Sequence, residues 1–343
     1  TVDHERILEI AKEEKIDAVL TAGTDVAVIT IGRICDEMGL AGISYDAAVN
    51  ASNKLMMKES YERHGVRTAR FRKVPVEEKD IASYVRDLNF PLIFKAVDTS
   101  GSRGIMRVDS PDEFETARAN SAKYTRQDYY IIEEYIEGDE FGAQAFIRNG
   151  SLEFILPHGD YVFHGDTGVP IGHYAPFDLG EDITEDARLQ LTKAAIAMGL
   201  DNCAINADFI LSDGKVYVLE LGGRSGATCL AELVSIYYGY DYYEKMILAA
   251  LGEEVSFESD MAVPNASKLL MSDKTGKIVS ITDNTQIGGN LCEVQFDAGV
   301  GDEVNAFHIG PDRIGHVITK GETLSEAVRA LDEALAAIRI EVE

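Results

Sequence analysis

The chain has 343 residues, 45% of them hydrophobic, with a formal net charge of −27 and a pI near 4.6. That length allows two to four domains or subdomains, and the acidic field repels nucleic acid and anionic membranes at long range, so neither is an expected partner. No apolar run reaches the ~18 residues of a membrane span, no basic-then-apolar leader opens the sequence, and Cys35, Cys203, Cys229 and Cys292 lack CxxC spacing, which points to reduced, packed thiols in a cytoplasmic protein and away from a metal–thiolate site.

Residues 4–14 read as a helix, 16–21 as a buried strand ending in Gly23, and 24–38 as a second helix closed by Gly39. This is half of a parallel α/β unit. An open α/β domain normally has an earlier strand–helix pair, so a truncated beginning is expected. A helix over 52–64, stopped by Gly65, follows. Residues 71–75 lead into a second module, with a strand over 90–97, a loop rich in Gly and Ser over 99–104, and a strand over 105–108. Ser110-Pro111-Asp112-Glu113 then opens a helix with an N-cap, a first-turn proline and a capping box. Residues 129–135 form a further strand. Strand pattern returns over 140–157 and 203–221, and helical pattern over 184–198 and 225–251. The tail repeats the grammar, with a strand over 316–319 and a capping box at Thr323-Leu324-Ser325-Glu326.

The stretch from Asn206 to Glu220 carries the most chemical information. Asp208 and Glu220 stand on two strands joined through Asp213-Gly214, and Arg224 follows. Side chains alternate faces along a strand, so Asp208 groups with Asn206 and Ile210, and Glu220 with Val216 and Val218. Whether the two faces coincide depends on the loop. A two-residue turn opposes Leu219 to Asp208 and turns Glu220 away. A three-residue loop, Ser212-Asp213-Gly214, opposes Val218 to Asp208 and makes the carboxylates diagonal neighbours, roughly 5–8 Å apart at the backbone. Two such carboxylates suit one or two Mg²⁺ ions that also take phosphate ligands.

Other segments add to this. Lys95 lies in the apolar run Pro91-Leu92-Ile93-Phe94-Lys95-Ala96, where an ammonium needs a partner or an anion. The loop after it offers backbone N–H groups and the Arg103 guanidinium to phosphate. Residues 131–140 are a strand ending in an acidic turn, whose backbone can meet a base edge and whose carboxylate can accept ribose hydroxyls. Gly222-Gly223-Arg224-Ser225-Gly226 leads into a helix, and Arg224 can grip a carboxylate or phosphate in a fork.

In this order the pieces resemble the ATP-grasp superfamily over essentially the whole chain. The matching residues are Asn53-Lys54, Lys95, Ser102-Arg103-Gly104, Glu133-Glu134-Tyr135-Ile136, Glu140, Asp208, Glu220 and Arg224. The resemblance implies an α/β and α+β chain. Its segments are a partial N-terminal α/β domain (1–52), a small ATP-grasp subdomain (53–136), a large one (137–257) and a C-terminal α+β domain (258–343). It implies ATP with Lys54 and Lys95 on its phosphates under the loop of Ser102, Arg103 and Gly104. Adenine would meet the hinge of Glu133, Glu134, Tyr135 and Ile136 above Ile210, and ribose would meet Glu140. Mg²⁺, with Mn²⁺ an acceptable substitute, would sit on Asp208 and Glu220, and Lys95, Glu220 and Arg224 would serve catalysis. The expected reaction phosphorylates a small-molecule carboxylate to an acyl phosphate, which an amine attacks. Two departures stand out. Gly222 occupies a place where the family often has Asn, and the usual N-terminal Gly-rich strand is missing.

His158, His164, Asp166 and His173 mark a polar-aromatic stretch suited to selecting a second substrate, and the Gly-rich turns of 292–308 suit closing the cleft. The leading expectation is a carboxylate–amine ligase, with a homodimer compatible. The alternatives are a bicarbonate-phosphorylating enzyme and a nucleotide-binding subunit with weakened catalysis.

Overall fold

The computed structural model describes residues 3–99, 101, 103–163 and 168–343. The chain divides into two compact units, one of residues 1–155, 179–225 and 245–256, the other of residues 156–178, 226–244 and 257–343. No helix among the described residues is long and apolar enough to cross a membrane.

The first unit opens with α1 (His4–Glu14), α2 (Val28–Met38) and α3 (Tyr45–Ala51). The strand expected over 16–21 does not form. Ile16 and Val19 do pack against Leu8 and Ile34, so the apolar run is buried. A strand also needs a neighbour, and this segment makes a single parallel bridge, Ala22 to Ser225. Helix α4 (Lys54–His64) starts cleanly because Asn53 Oδ1 accepts from the backbone N–H groups of Leu55 and Met56 at 3.0 and 3.2 Å. It stops at Gly65, whose left-handed φ of 66° favours a residue without a Cβ.

Four strands then form an antiparallel sheet in the order β1-β4-β2-β3: β1 (Phe71–Pro75), β2 (Leu92–Lys95), β3 (Ile105–Val108) and β4 (Tyr129–Glu134). Leu92, Phe94, Val108, Tyr130 and Ile132 pack one face against α5 (Ile81–Tyr84) and α6 (Phe114–Tyr124). The other face holds Ile131 and Phe71, which pack with Val97 against Leu55 of α4.

The chain continues through β5 (Asp139–Arg148), β6 (Ser151–Val162), β7 (Pro170–Ala175), α7 (Glu181–Met198), β8 (Cys203–Ser212) and β9 (Lys215–Gly222). In the first unit β5, β8 and β9 pair antiparallel, with β9 outermost and α7 packed against it. The outer edge of β9 is occupied. Val218 N–H donates to Arg67 O and Val218 O accepts from Thr68 Oγ1, while Val216 N–H donates to Asp186 Oδ2 and Val216 O accepts from Arg67 Nη1.

The helical pattern over 225–251 resolves into α8 (Leu230–Tyr238) and α9 (Tyr242–Ala250), separated at Gly239, φ 71°. The remaining elements are β10 (Asn265–Leu270), β11 (Gly276–Asp283), β12 (Leu291–Phe296), β13 (Glu303–Val304), β14 (Gly315–Lys320), α10 (Leu324–Ala337) and β15 (Ile338–Val342). The second unit is built on the antiparallel order β12-β14-β10-β7, extended by the C-terminal residues of β6. Leu331 and Ala334 of α10 pack on Ala266, Leu270 and Val317, and β13, β11 and β15 form a small separate sheet.

Candidate functional site

The β8–β9 hairpin turns through Asp213 (φ 48°) and Gly214 (φ 69°), both left-handed, as a type I′ hairpin turn requires. The ladder pairs Ser212 with Lys215, Leu211 with Val216, Ile210 with Tyr217 and Phe209 with Val218. It then slips. The next pair is Asp208 with Glu220, and Leu219 is the extra residue of a bulge. Neither loop expectation holds. The turn has two residues, yet Glu220 stands directly opposite Asp208 rather than away from it or diagonal to it. Strict alternation fails at Leu219 because the bulge re-phases the strand. Glu220 leaves the face of Val216 and Val218, and Leu221 takes its place there, buried.

The result is three rows of residues across β5, β8 and β9 on one sheet face: Glu140, Ile210 and Tyr217; Gly142, Asp208 and Glu220; Gln144, Asn206 and Gly222. Gly142 adds no side chain beside the two carboxylates. Asn206 lies opposite Gly222, and its Oδ1 accepts a 2.6 Å hydrogen bond from Gln144 Nε2. An amide therefore does stand in the row of Gly222, but on the neighbouring strand.

Helix α4 supplies cations to this face and to the four-stranded sheet. Lys54, Lys58 and Tyr61 follow one another along one side of the helix. Lys54 Nζ donates to Thr99 O at 2.8 Å and to Glu220 Oε1 at 2.9 Å. Lys58 Nζ donates to Thr68 Oγ1 at 2.5 Å and lies 3.2 Å from Glu133 Oε1. The other Glu133 oxygen, Oε2, accepts from Lys95 Nζ at 2.8 Å. Lys95 pairs across the ladder with Ile131 and Ile93 with Glu133, so Lys95 and Glu133 meet diagonally. Burial disfavours the charges of Lys58, Lys95 and Glu133. It pushes the Lys58 ammonium down to about 8 against the pull of Glu133. For Lys95 the carboxylates of Glu133, Glu220 and Glu140 outweigh burial and raise the pKa. For Glu133 the two lysines outweigh burial and lower it. Burial, with Glu220, Asp208 and Glu133 nearby, pushes the Tyr61 phenol well up, and its buried hydroxyl has no hydrogen-bond partner among the described residues. Nothing in the sequence analysis singled out Lys58 or Tyr61. A basic residue one turn beyond Lys54 on a helix with few apolar neighbours looks like a solvated charge until the fold buries it.

At the hinge the side chains have partners within the protein. The Glu133 carboxylate is 2% exposed and taken up by the two lysines. Glu134 Oε1 accepts from Asn89 N, Asn89 Nδ2 and Arg70 Nη1. Tyr135 lies under the Arg107 guanidinium, 4.5 Å from the ring centre. Both hinge carboxylates are thus engaged by the protein.

In the loop after β2, Gly104 O accepts from Ala96 N and Ser121 Oγ, both at 3.0 Å. A Cβ on Gly104 would come within 2.7 Å of the Ala96 Cβ, whereas one on Gly101 would meet nothing within 4 Å. Thr99 Oγ1 donates to Arg103 O at 2.9 Å. Ser102 lies outside the described residues, as do His164 and Asp166.

Arg224 does not point its fork at a free site. Its Nε and Nη2 donate to Asp25 Oδ1 and Oδ2 at 2.8 and 2.9 Å, and Nη1 donates to Ser225 O. Asp25 is far upstream in sequence, and no local pattern marks it.

In the second unit, His158 and Asp160 share a face of β6, and His173 pairs with Asp160 from β7. Asp160 Oδ1 accepts from His158 Nδ1 at 2.9 Å and from His173 Nδ1 at 2.6 Å. Burial opposes the charge on Asp160, but the two imidazoles hold its carboxyl far below the usual range. Burial lowers the His173 pKa despite Asp160. The ligand atoms of the three lie within 4.8 Å of one another, so the set could also accept a cation.

Comparison with known proteins places this geometry. The family model of the ATP-grasp domain matches residues 88–232, and that of the L-amino acid ligase C-terminal domain 2 matches residues 268–343. An alanine–anticapsin ligase of Bacillus subtilis is 24% identical over 267 residues, which cover 71% of this chain and 56% of that protein. The chain thus spans about half the length of such curated relatives. The crystal structure of a phosphoribosylglycinamide synthetase from Anaerococcus prevotii matches 100% of this chain and 87% of its own at a TM-score of 0.85 and 34% identity. An L-amino acid ligase from Bacillus licheniformis shares the fold at a TM-score of 0.81, with 19% identity over 99% of this chain and 85% of that one. With 34% identity along its whole length and the ATP-grasp match across its central strands, the chain belongs to the ATP-grasp superfamily, with the mixed α/β and α+β architecture that its sequence announces.

Proposed function

We propose that this chain is an ATP- and Mg²⁺-dependent ligase that joins a small-molecule carboxylate to an amine, working in the cytoplasm. The observation that carries the reading is the direct opposition of Asp208 and Glu220, with Lys54 against Glu220. In this reading Asp208 and Glu220 hold Mg²⁺ or Mn²⁺. Two hard carboxylates in one row, beside the bare Gly142, fit such an ion. The bound metal would neutralise phosphate charge that the lysines leave uncompensated. Lys54 and Lys95 meet the phosphates, and the loop of Arg103 and Gly104 covers them. The backbone from Glu134 to Ile136 meets adenine, Ile210 floors that pocket, and Glu140 accepts the ribose hydroxyls. Arg224, held by Asp25, orders the turn after Glu220. We keep the four-segment division (1–52, 53–136, 137–257, 258–343) with this reading.

The chemistry needs no protein nucleophile. A carboxylate oxygen takes the γ-phosphoryl group and ADP leaves. The amine nitrogen then attacks the acyl carbon, inorganic phosphate departs, and the nitrogen loses a proton to give the amide. The side chains act by fixed charge and by position. The match of residues 268–343 to an L-amino acid ligase domain favours amino acids as the carboxylate and amine.

ADP release tests the reading. Adding ATP, Mg²⁺ and pairs of amino acids should release ADP and phosphate in equal amounts with amide product. ADP release that depends on bicarbonate instead would place the chain among carboxylating enzymes. Nucleotide binding without turnover for any pair would make it a binding subunit.

A further inference from the structure

Glu133 is a single buried carboxylate between two ammonium groups, and the two are not equivalent. The Lys58 side chain is 2% exposed and that of Lys95 is 14% exposed. Lys58 is also tied on its far side. It donates to Thr68 Oγ1, and that hydroxyl donates to Val218 O on the strand that carries Glu220. Lys95 sits at the end of β2, a few residues before Thr99, and among the described residues its ammonium donates to Glu133 alone.

On the nucleotide reading above, on which this inference rests, Lys95 must turn its ammonium toward phosphate. That move removes a cation from a buried carboxylate. A buried charge left without a partner is strongly destabilising, so Glu133 would resist the loss of Lys95 if it had no other cation. Lys58 removes that obstacle, because it is fixed in place and faces the opposite carboxylate oxygen. We propose that Lys58 is the resident counter-ion of Glu133, a positioning residue that keeps the carboxylate paired and thereby frees Lys95 for the nucleotide phosphates. It acts through Glu133 and touches no substrate.

The proposal makes a specific demand on coupling. Replacing Lys58 by Met leaves Glu133 with one cation, Lys95, and should hold that cation back. Neutralising Glu133 as well should make Lys58 irrelevant. The experiment measures binding of a non-hydrolysable ATP analogue with Mg²⁺ by calorimetry on the full chain, with melting temperatures of the free proteins to check folding. Lys58→Met is expected to weaken analogue binding by about tenfold or more. In a Glu133→Gln background the same substitution is expected to change binding by less than about twofold. A purely structural role for Lys58 would weaken binding equally in both backgrounds and would overturn the proposal. So would wild-type affinity in Lys58→Met. If Lys58→Met does not fold, Thr68→Val removes the hydroxyl that anchors Lys58. It should give a smaller weakening of the same sign, again absent in the Glu133→Gln background, and an effect that persists there overturns the proposal. Failure of the wild-type chain to bind the analogue would overturn the nucleotide reading itself, whereas normal wild-type binding with an unresponsive Lys58 overturns only this inference.

Discussion

Glu133 and Glu220 are carboxylates of the same kind on two sheets of one unit, and the fold treats them in opposite ways. Glu133 is 2% exposed and answered by two lysines. Glu220 is 37% exposed and answered by one. Burial sets the difference. A carboxylate taken out of water needs its charge answered by the protein, and two ammonium groups do this for Glu133 although its Oε1 has no hydrogen-bond partner among the described residues. A carboxylate that stays partly exposed keeps oxygen capacity open, and one lysine beside it steadies its position without using it up. Charge in a sequence therefore says little about ligand binding until its depth is known.

The sharpest way to break the contrast is by deletion of each carboxylate. Glu133→Ala leaves two ammonium groups in a dry site and is expected to cost about 3–5 kcal/mol of folding stability in urea titration. Glu220→Ala should stay within about 1 kcal/mol of wild type. Equal costs would show that burial is not what separates them.

The second test looks at function. Glu220→Gln keeps the shape and lowers the charge facing a metal. It should reduce kcat by about 10² or more while changing nucleotide affinity far less, in a steady-state ADP assay with Mg²⁺ varied. Near-normal turnover would remove Glu220 from the metal site.

A third, smaller effect comes from pH. The Lys58 ammonium titrates near 8 in the folded chain and near 10.5 unfolded. Between those values the unfolded chain holds the extra proton, so this group makes stability rise as pH rises from about 8 to 10.5. Lys95, with its pKa raised, contributes stability that is present below 10.5 and lost above it. The rise across the lower window should therefore disappear in Lys58→Met, as read from urea midpoints at stepped pH.

The smallest effect tests the hairpin that presents Glu220. Gly214→Ala strains a left-handed position at the tip, where space is open, and should cost about 1 kcal/mol with the Mg²⁺ dependence of turnover intact. A change in metal dependence would mean that the turn, and not the bulge at Leu219, sets the carboxylate pair.

Much of this was legible in the residues. Lys95 in an apolar run had to have a partner, and the capping boxes and glycine stops located α4, α6 and α10 to within a few residues. The spacing of Asp208 and Glu220 marked them as a pair. How they meet was not legible, because alternation assumes an unbroken ladder and no residue type announces the bulge at Leu219. The partners of Arg224 and Glu133 were hidden for another reason. Asp25 and Lys58 are ordinary charges in their own segments, and only tertiary folding brings them to a half-buried guanidinium and a buried carboxylate. The apolar run at 16–21 shows the reverse limit, since hydrophobicity reports burial but not whether a pairing strand exists.

The sealed margin of β9 has a consequence for self-association. An outermost strand with bare amide and carbonyl groups is a template for another chain, and proteins that leave one exposed risk edge-to-edge aggregation. Here both outward groups of Val216 and of Val218 are already taken, by Asp186, Arg67 and Thr68. Strand addition at this margin is blocked by residues that also anchor the carboxylate-bearing hairpin. Arg67→Ala would free only the Val216 carbonyl, since the Arg67 backbone still holds Val218 N–H, so the margin is expected to stay closed and light scattering to stay independent of concentration.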